Sequence, residues 1–253
     1  MLGIFDSGLG GLTVVKEILN RHSSADFLYL GDTARAPYGD KSITTICQYA
    51  QQDVDFLFHA GIKHIAVACN SVSAVAMTDL RLQFPDIAFY DVIRPAIIKI
   101  VEANPQRIAV IGTRATISSG VYEIEIIQHL PRVEITSLAC PLFVPWVEEG
   151  FADSPETDMV VAHYLSNLKD FQPDLVVLAC THYPFLESAI ARYLGPNVQL
   201  VNSAKALADS LPAELFFMNT ANQKFAFTDL SPHTIEIAHA WLGEGIELQP
   251  AKL

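Results

Sequence analysis

Short apolar runs alternate along this chain with longer stretches whose apolar residues recur every three or four positions. Leu2–Phe5 is an apolar run closed by Asp6-Ser7-Gly8, and Leu12, Val14, Val15, Ile18 and Leu19 follow at helical spacing, so strand, turn and amphipathic helix are expected in that order. The pattern recurs. Further strands are expected at Phe27–Leu30, His64–Ala68, Ile87–Tyr90, Arg107–Ile111, Val133–Ser137, Asp174–Ala179 and Val198–Val201. Helices fit Ser42–His59, Ser71–Gln83, Ser118–His129, Pro155–Leu168 and Tyr183–Leu194, the first with Ile43, Ile46, Ala50, Val54 and Leu57 on one face. Strands this apolar, separated by helices, are those of parallel sheets covered on both faces.

The pattern repeats within the chain. Gly3-Ile-Phe-Asp-Ser7 resembles Ala109-Val-Ile-Gly-Thr113, Ala36-Pro-Tyr-Gly39 has a counterpart in Val144-Pro-Trp146, and Ile65–Asn70 resembles Leu175–Thr181, at offsets of 106, 108 and 111 residues. Two similar α/β units give such offsets; so does chance similarity between strands of shared composition. On the first reading each unit places a cysteine, Cys69 or Cys180, just after a buried strand.

Composition narrows the function. The 253 residues suit one large domain or two moderate ones. Sixteen Lys and Arg against 28 Asp and Glu give a net charge of −12, so counterion release on nucleic acid has nothing to work with and no nucleic-acid partner is expected. Hydrophobic residues reach 51% and charged ones 17%, the balance of a large core. The longest apolar stretch, Ile65–Met77, is interrupted by Asn70, Ser71 and Ser73, so no membrane span is expected. The start carries no basic region before Asp6, and no two of the four cysteines form a CxxC pair, which points to a cytoplasmic protein with reduced thiols.

Ligands of open parallel sheets bind beyond the carboxyl ends of the strands. Four polar clusters fall there: Asp6-Ser7-Gly8, Tyr38-Gly39, Cys69-Asn70-Ser71 and Cys180-Thr181-His182. A single buried cysteine is ordinarily a packing residue, and Cys47 and Cys140 are read so. A pair at equivalent ends of two facing units is different: the sulfurs would sit on opposite sides of one small molecule, suited to taking a proton from one face of a carbon and returning one to the other. The turn Asp6-Ser-Gly-Leu-Gly-Gly11 departs from a dinucleotide fingerprint at Thr13; it suits a carboxylate near its backbone N–H groups, or is a tight turn with no ligand. Asp6 orients a base or accepts an ammonium group, or caps the following helix. His182 polarises a substrate or is structural. Asp32 and Arg35 read as a turn with a surface pair, and Glu148 with Glu149 as solvated helix residues.

These clusters also carry a resemblance. Gly3-Ile-Phe-Asp-Ser-Gly-Leu-Gly-Gly11, Gly31-Asp-Thr-Ala-Arg-Ala-Pro-Tyr-Gly39, Val67-Ala-Cys-Asn70, Gly112-Thr-Arg-Ala-Thr116, Cys140-Pro-Leu-Phe-Val-Pro145 and Cys180-Thr-His-Tyr-Pro184 resemble the glutamate racemase family, in order over most of the chain. The segment from Phe225 to Gly243 is only loosely similar. The resemblance implies cofactor-independent interconversion of L- and D-glutamate for peptidoglycan, with Cys69 deprotonating D-glutamate and Cys180 L-glutamate. It implies assistance to proton transfer from Asp6, His182, Asp32 and Glu148. It places Asp6, Ser7, Tyr38, Gly39, Asn70, Ser71, Thr181 and His182 on the substrate. It also implies two flavodoxin-like, doubly wound parallel-sheet domains facing each other across the site, residues 1–94 with 206–253 and residues 95–205. The implied scheme uses neither cofactor nor metal, and a homodimer is the protein partnership to consider. Ser71 stands where Thr is common, Asn202 where Asp is frequent, and Arg94 where Glu is common, the last reversing a charge near the domain crossover. Two rivals remain from the residues alone: an aspartate or hydantoin racemase, and a carboxylate-binding protein without catalysis.

Overall fold

The computed structural model describes residues 1–216 and 220–253. Its strands are β1 (Leu2–Asp6), β2 (Phe27–Gly31), β3 (His64–Val67), β4 (Ala88–Asp91), β5 (Arg107–Gly112), β6 (Glu134–Ala139), β7 (Leu175–Ala179), β8 (Gln199–Asn202), β9 (Gln223–Phe227) and β10 (Leu248–Pro250). Two sheets result, of order β10-β9-β2-β1-β3-β4 and β6-β5-β7-β8. Every pairing is parallel. Parallel neighbours require crossovers, and helices supply them on both faces.

The order β2-β1-β3-β4 is repeated as β6-β5-β7-β8, each strand of the second sheet taking the place of its counterpart four earlier. That is the flavodoxin-like winding, in which the order reverses between the first and third strands and leaves a crevice at their carboxyl ends. The internal similarity read from the sequence is thus a repeat of topology. Pro37 and Pro145 both follow the second strand of their unit, yet Pro37 lies between 3-10 turns and Pro145 inside helix Phe143–Glu148.

Alternate strand residues feed separate cores. Leu2, Ile4, Phe27 and Tyr29 of the first sheet and Ile108, Val110, Leu175 and Val177 of the second share one central cluster. Helices Leu12–Arg21, Ile93–Ala103 and Ser203–Ser210 contribute Val14, Ile18, Ile97, Ile100 and Leu207 to it. Phe5, Leu30, Ile65 and Val67 turn to an outer cluster that includes Cys69, while Ile111, Val176 and Leu178 turn to a third that includes Cys180. Each fully buried Val, Leu or Ile contributes about 1.5–3 kcal/mol relative to exposure, so these clusters hold the two sheets in one body.

The structure corrects several boundaries. The helix expected over Ser71–Gln83 is two, Asn70–Val75 and Met77–Gln83, joined at Ala76, whose N–H still bonds to Val72. The helix expected from Ser118 starts at Val121, because Gly120 takes φ +67°, a conformation glycine adopts without steric cost. Strand β9, the edge strand β10 and the helices Ile93–Ala103, Ser203–Ser210 and Pro232–Leu242 are additional to the expected elements. Arg94 lies exposed in the first turn of the helix after β4.

Candidate active site

The carboxyl ends of both sheets open onto one cavity of about 670 Å3. Ser7, Tyr38, Gly39, Cys69, Asn70 and Ser71 line it from the first sheet's side, and Cys180, Thr181, His182 and Glu148 from the second's. Asp6 and Asp32 are absent from the lining; both carboxyls are wholly buried behind it.

Cys69 follows β3 and precedes helix Asn70–Val75, and Cys180 follows β7 in the equivalent position. Both sulfurs are nearly buried, with only 4% and 5% of each residue exposed at the cavity wall. The Cys69 thiol donates to Ser7 Oγ at 3.5 Å. Burial, reinforced by the charge of Asp6, pushes this thiol up to about 12 despite hydrogen bonds from Val72 and Ser7. Cys180 has a different neighbour: its Sγ lies 3.9 Å from His182 Nδ1, whose Nε2 is 2.8 Å from Glu148 Oε1. Burial alone would lower His182, but its bonds to Cys180 and Glu148 prevail and raise it to about 10. Burial would raise Glu148, yet the His182 bond and charge hold it below the usual carboxylate range.

Glu148 therefore is not a solvated helix residue. Nor do Asp32 and Arg35 form a surface pair. Asp32 Oδ2 accepts from Arg35 Nε at 2.5 Å and from the Tyr38 hydroxyl, and Oδ1 accepts from Thr228 at 2.8 Å. Asp6 does not cap helix Leu12–Arg21, whose cap is Gly11. Instead Asp6 accepts from Gly8 N at 3.2 Å and Thr181 Oγ1 at 3.5 Å, tying the glycine turn to the opposite sheet's strand end. Burial raises Asp6, opposed by the charge of His182.

The glycine turn needs its glycine for proximity. A Cβ on Gly10 would run into Thr181 Oγ1 and the His182 ring. Thr13 Oγ1, where the dinucleotide pattern fails, donates across the same seam to Thr181 O at 3.0 Å. Gly10→Ala is expected to lower stability by about 1–3 kcal/mol through overpacking, read as a fall in melting temperature.

Polar residues at the floor are largely committed. Tyr122 donates to Asn70 Oδ1 at 2.8 Å, and Asn70 Nδ2 donates to Ser203 Oγ at 3.2 Å. One Nδ2 hydrogen of Asn70 is then left for a ligand. Ser71 Oγ meets Thr113 Oγ1 at 2.9 Å, joining the two units beneath Gly39. Among the described lining residues the Lys or Arg present is Arg114, and it pairs with Asp40 at 2.6 Å. An anionic ligand is therefore met mainly by hydroxyls, amides and backbone N–H groups. Sequence reasoning missed the wall formed by Asp229, Ser231, His233 and Thr234, although Ser231-Pro232 is a helix-start signal that marks it. Among the described residues no group of three or more His, Cys, Asp or Glu is arranged to hold a metal ion, and no helix is long and apolar enough to cross a membrane.

Two strand-end cysteines line one cavity, and comparison with known proteins bears on that arrangement. Residues 14–211 match the family model described as Asp/Glu/Hydantoin racemase. The chain is 40% identical over 249 residues to the glutamate racemase of Aquifex aeolicus, covering 97% of this chain and 95% of that protein. It is 41% identical to that of Persephonella marina, covering 100% and 97%. The glutamate racemase of Francisella tularensis, solved in complex with D-glutamate, superposes with a TM-score of 0.92 at 32% identity, covering 100% of this chain and 97% of that one. Identity of this order along the whole length, on the same duplicated sheet, shows that the chain belongs to the Asp/Glu/hydantoin racemase family, among its glutamate racemases.

Proposed function

We propose that the chain interconverts L- and D-glutamate by a 1,1-proton transfer between two sulfurs, and that its product supplies peptidoglycan synthesis. One observation carries the reading: Cys69 and Cys180 end equivalent strands of two facing units and line the same cavity. A non-catalytic binder has no use for paired thiols in that arrangement. The working division is residues 1–94 with 206–253 as one domain and 95–205 as the other, the substrate lying between them.

Ser7, Asn70, Ser71, Thr181 and the backbone at Tyr38–Gly39 hold the substrate carboxylates and ammonium group. Cys180 takes the α-proton of L-glutamate while Cys69, protonated, delivers one to the opposite face; D-glutamate reverses the roles. His182, charged and held by Glu148, sits beside Cys180. The high position of the Cys69 thiol suits the donor role in this direction. Asp6 supports the exchange from behind the wall, where its charge acts on both Cys69 and His182. Asp32 acts through Tyr38. The carbanion-like species between the two transfers is stabilised by preorganised donors and by exclusion of water.

Substrate choice is tested by initial rates with L-glutamate and L-aspartate as the only substrates, followed by circular dichroism of the amino acid. Loss of optical activity with glutamate alone is expected. Reaction of aspartate alone would leave the two-sulfur scheme standing and overturn the substrate.

A further inference from the structure

Next to the Tyr38–Gly39 turn lies an ionic cluster with one member, Asp53, that the proton-transfer scheme does not use. Asp53, on helix Ile43–His59, belongs to it and is wholly buried. The guanidinium of Arg35 spans two carboxyl groups, Nε to Asp32 at 2.5 Å and Nη2 to Asp53 Oδ1 at 3.0 Å. Its Nη1 donates to Gln52, and its face lies 4.2 Å from the Tyr49 ring. The Tyr38 hydroxyl lies against Asp32 Oδ2 and 2.9 Å from Asp53 Oδ2.

Counting hydrogens decides the charge state. A phenol has one O–H hydrogen, and an ionised carboxylate has none. Asp32, which also accepts from Arg35 and Thr228, takes the phenol hydrogen. Asp53 Oδ2 then faces the phenol oxygen with no hydrogen between them unless Asp53 brings its own. Two oxygens at hydrogen-bond distance without a hydrogen repel, and the site is buried.

We propose that Asp53 is held as the un-ionised acid, donates from Oδ2 to the Tyr38 oxygen, and so serves as the positioning residue that fixes the Tyr38–Gly39 turn on the substrate wall. Burial, with the charges of Asp32 and Asp6 added, raises Asp53 well above the usual carboxylate range against the lowering effect of Arg35 and Tyr38. The charged or titratable groups that face it are Asp32 and, behind it, Asp6 at the ends of β2 and β1, with Arg35 and Tyr38 from the two 3-10 turns between. The turn it holds has little slack, because a Cβ on Gly39 would press on Thr113 of the other unit. The consequence for catalysis rests on the reading of the cavity as a glutamate site; the protonation itself does not.

The test compares Asp53→Asn with Asp53→Ala. An amide places an N–H where the acid O–H stands and leaves its oxygen to Arg35, so Asp53→Asn is expected to keep KM and kcat within about two-fold of the parent. Asp53→Ala removes one partner each from the Tyr38 oxygen and from Arg35 Nη2, leaving both side chains tied to Asp32 alone on that side, and is expected to raise KM for glutamate about ten-fold, with kcat changed less. Difference infrared spectra of the full-length parent against Asp53→Asn at neutral pH read the proton directly, as the carbonyl stretch of an un-ionised carboxylic acid lost in the variant. Absence of that band, or equal damage from the Asn and Ala variants, overturns the proposal. If the parent shows no glutamate turnover, the functional reading fails, and the infrared band still decides whether Asp53 carries its proton.

Discussion

Replacing either Cys69 or Cys180 by serine is expected to lower racemisation of glutamate by at least about 10³-fold, or about 4 kcal/mol in the transition state. A serine hydroxyl is far too weak a base at neutral pH to replace a thiolate, and it fills nearly the same space. Both sulfurs are almost buried, so the change removes chemistry without opening a cavity of any size. Enantiomers have equal free energy, so kcat/KM must fall equally in both directions for each variant. The asymmetry shows instead in isotope exchange. Cys69→Ser retains the base for L-glutamate and should wash the α-proton of that enantiomer slowly into D2O; Cys180→Ser should do so with D-glutamate. Exchange of both enantiomers by either variant would mean that one group serves both faces.

The second large effect concerns the pair behind Cys180. Glu148→Gln is expected to lower kcat for L-glutamate by about 10²-fold and to move the alkaline limb of the pH profile down, toward the ordinary histidine value of about 6.5. The sign follows from His182, which is raised to about 10 by bonds to Cys180 and Glu148 that overcome its burial. A raised histidine contributes stability that is fully present below its unfolded value and lost as pH rises through the folded one. In the parent, both the extra stability and the charged His182 should therefore persist through neutrality and fade toward pH 10. Histidine NMR and thermal melts across that range measure both. An alkaline limb unmoved in Glu148→Gln would detach His182 from the chemistry.

The inner strands of the repeated units are legible in the sequence because both of their faces are covered: His64–Val67 and Leu175–Ala179 are nearly unbroken Val, Ile, Leu and Ala. Strand β9 is not, since Gln223 and Lys224 begin it and only Phe225, Ala226 and Phe227 are buried. Helix Ile93–Ala103 hides behind Pro95, which reads as a break although it sits in the first turn, where a missing N–H costs nothing. The strand-end placement of Cys69 and Cys180 is legible because duplication puts the same residue after the same strand twice. Glu148 is not, because an acidic pair on a helix looks the same whether it meets water or a buried histidine. Asp53 is hidden for a similar reason: a carboxyl in an amphipathic helix that also carries Asp55 gives no sign that Tyr38 and Arg35 close over it. Charge state and partnership at the site are three-dimensional properties, and the apolar pattern does not encode them.

In the two-sulfur scheme two different groups act on opposite faces of the α-carbon. The most direct test is the reaction of L-glutamate in D2O with the purified protein and no added cofactor, stopped early, with deuterium measured separately in the two enantiomers. The two-sulfur scheme predicts D-glutamate fully deuterated at Cα, while unreacted L-glutamate keeps its original hydrogen. D-glutamate that retains the original hydrogen would contradict it, because a single group would then have carried the proton from one face to the other.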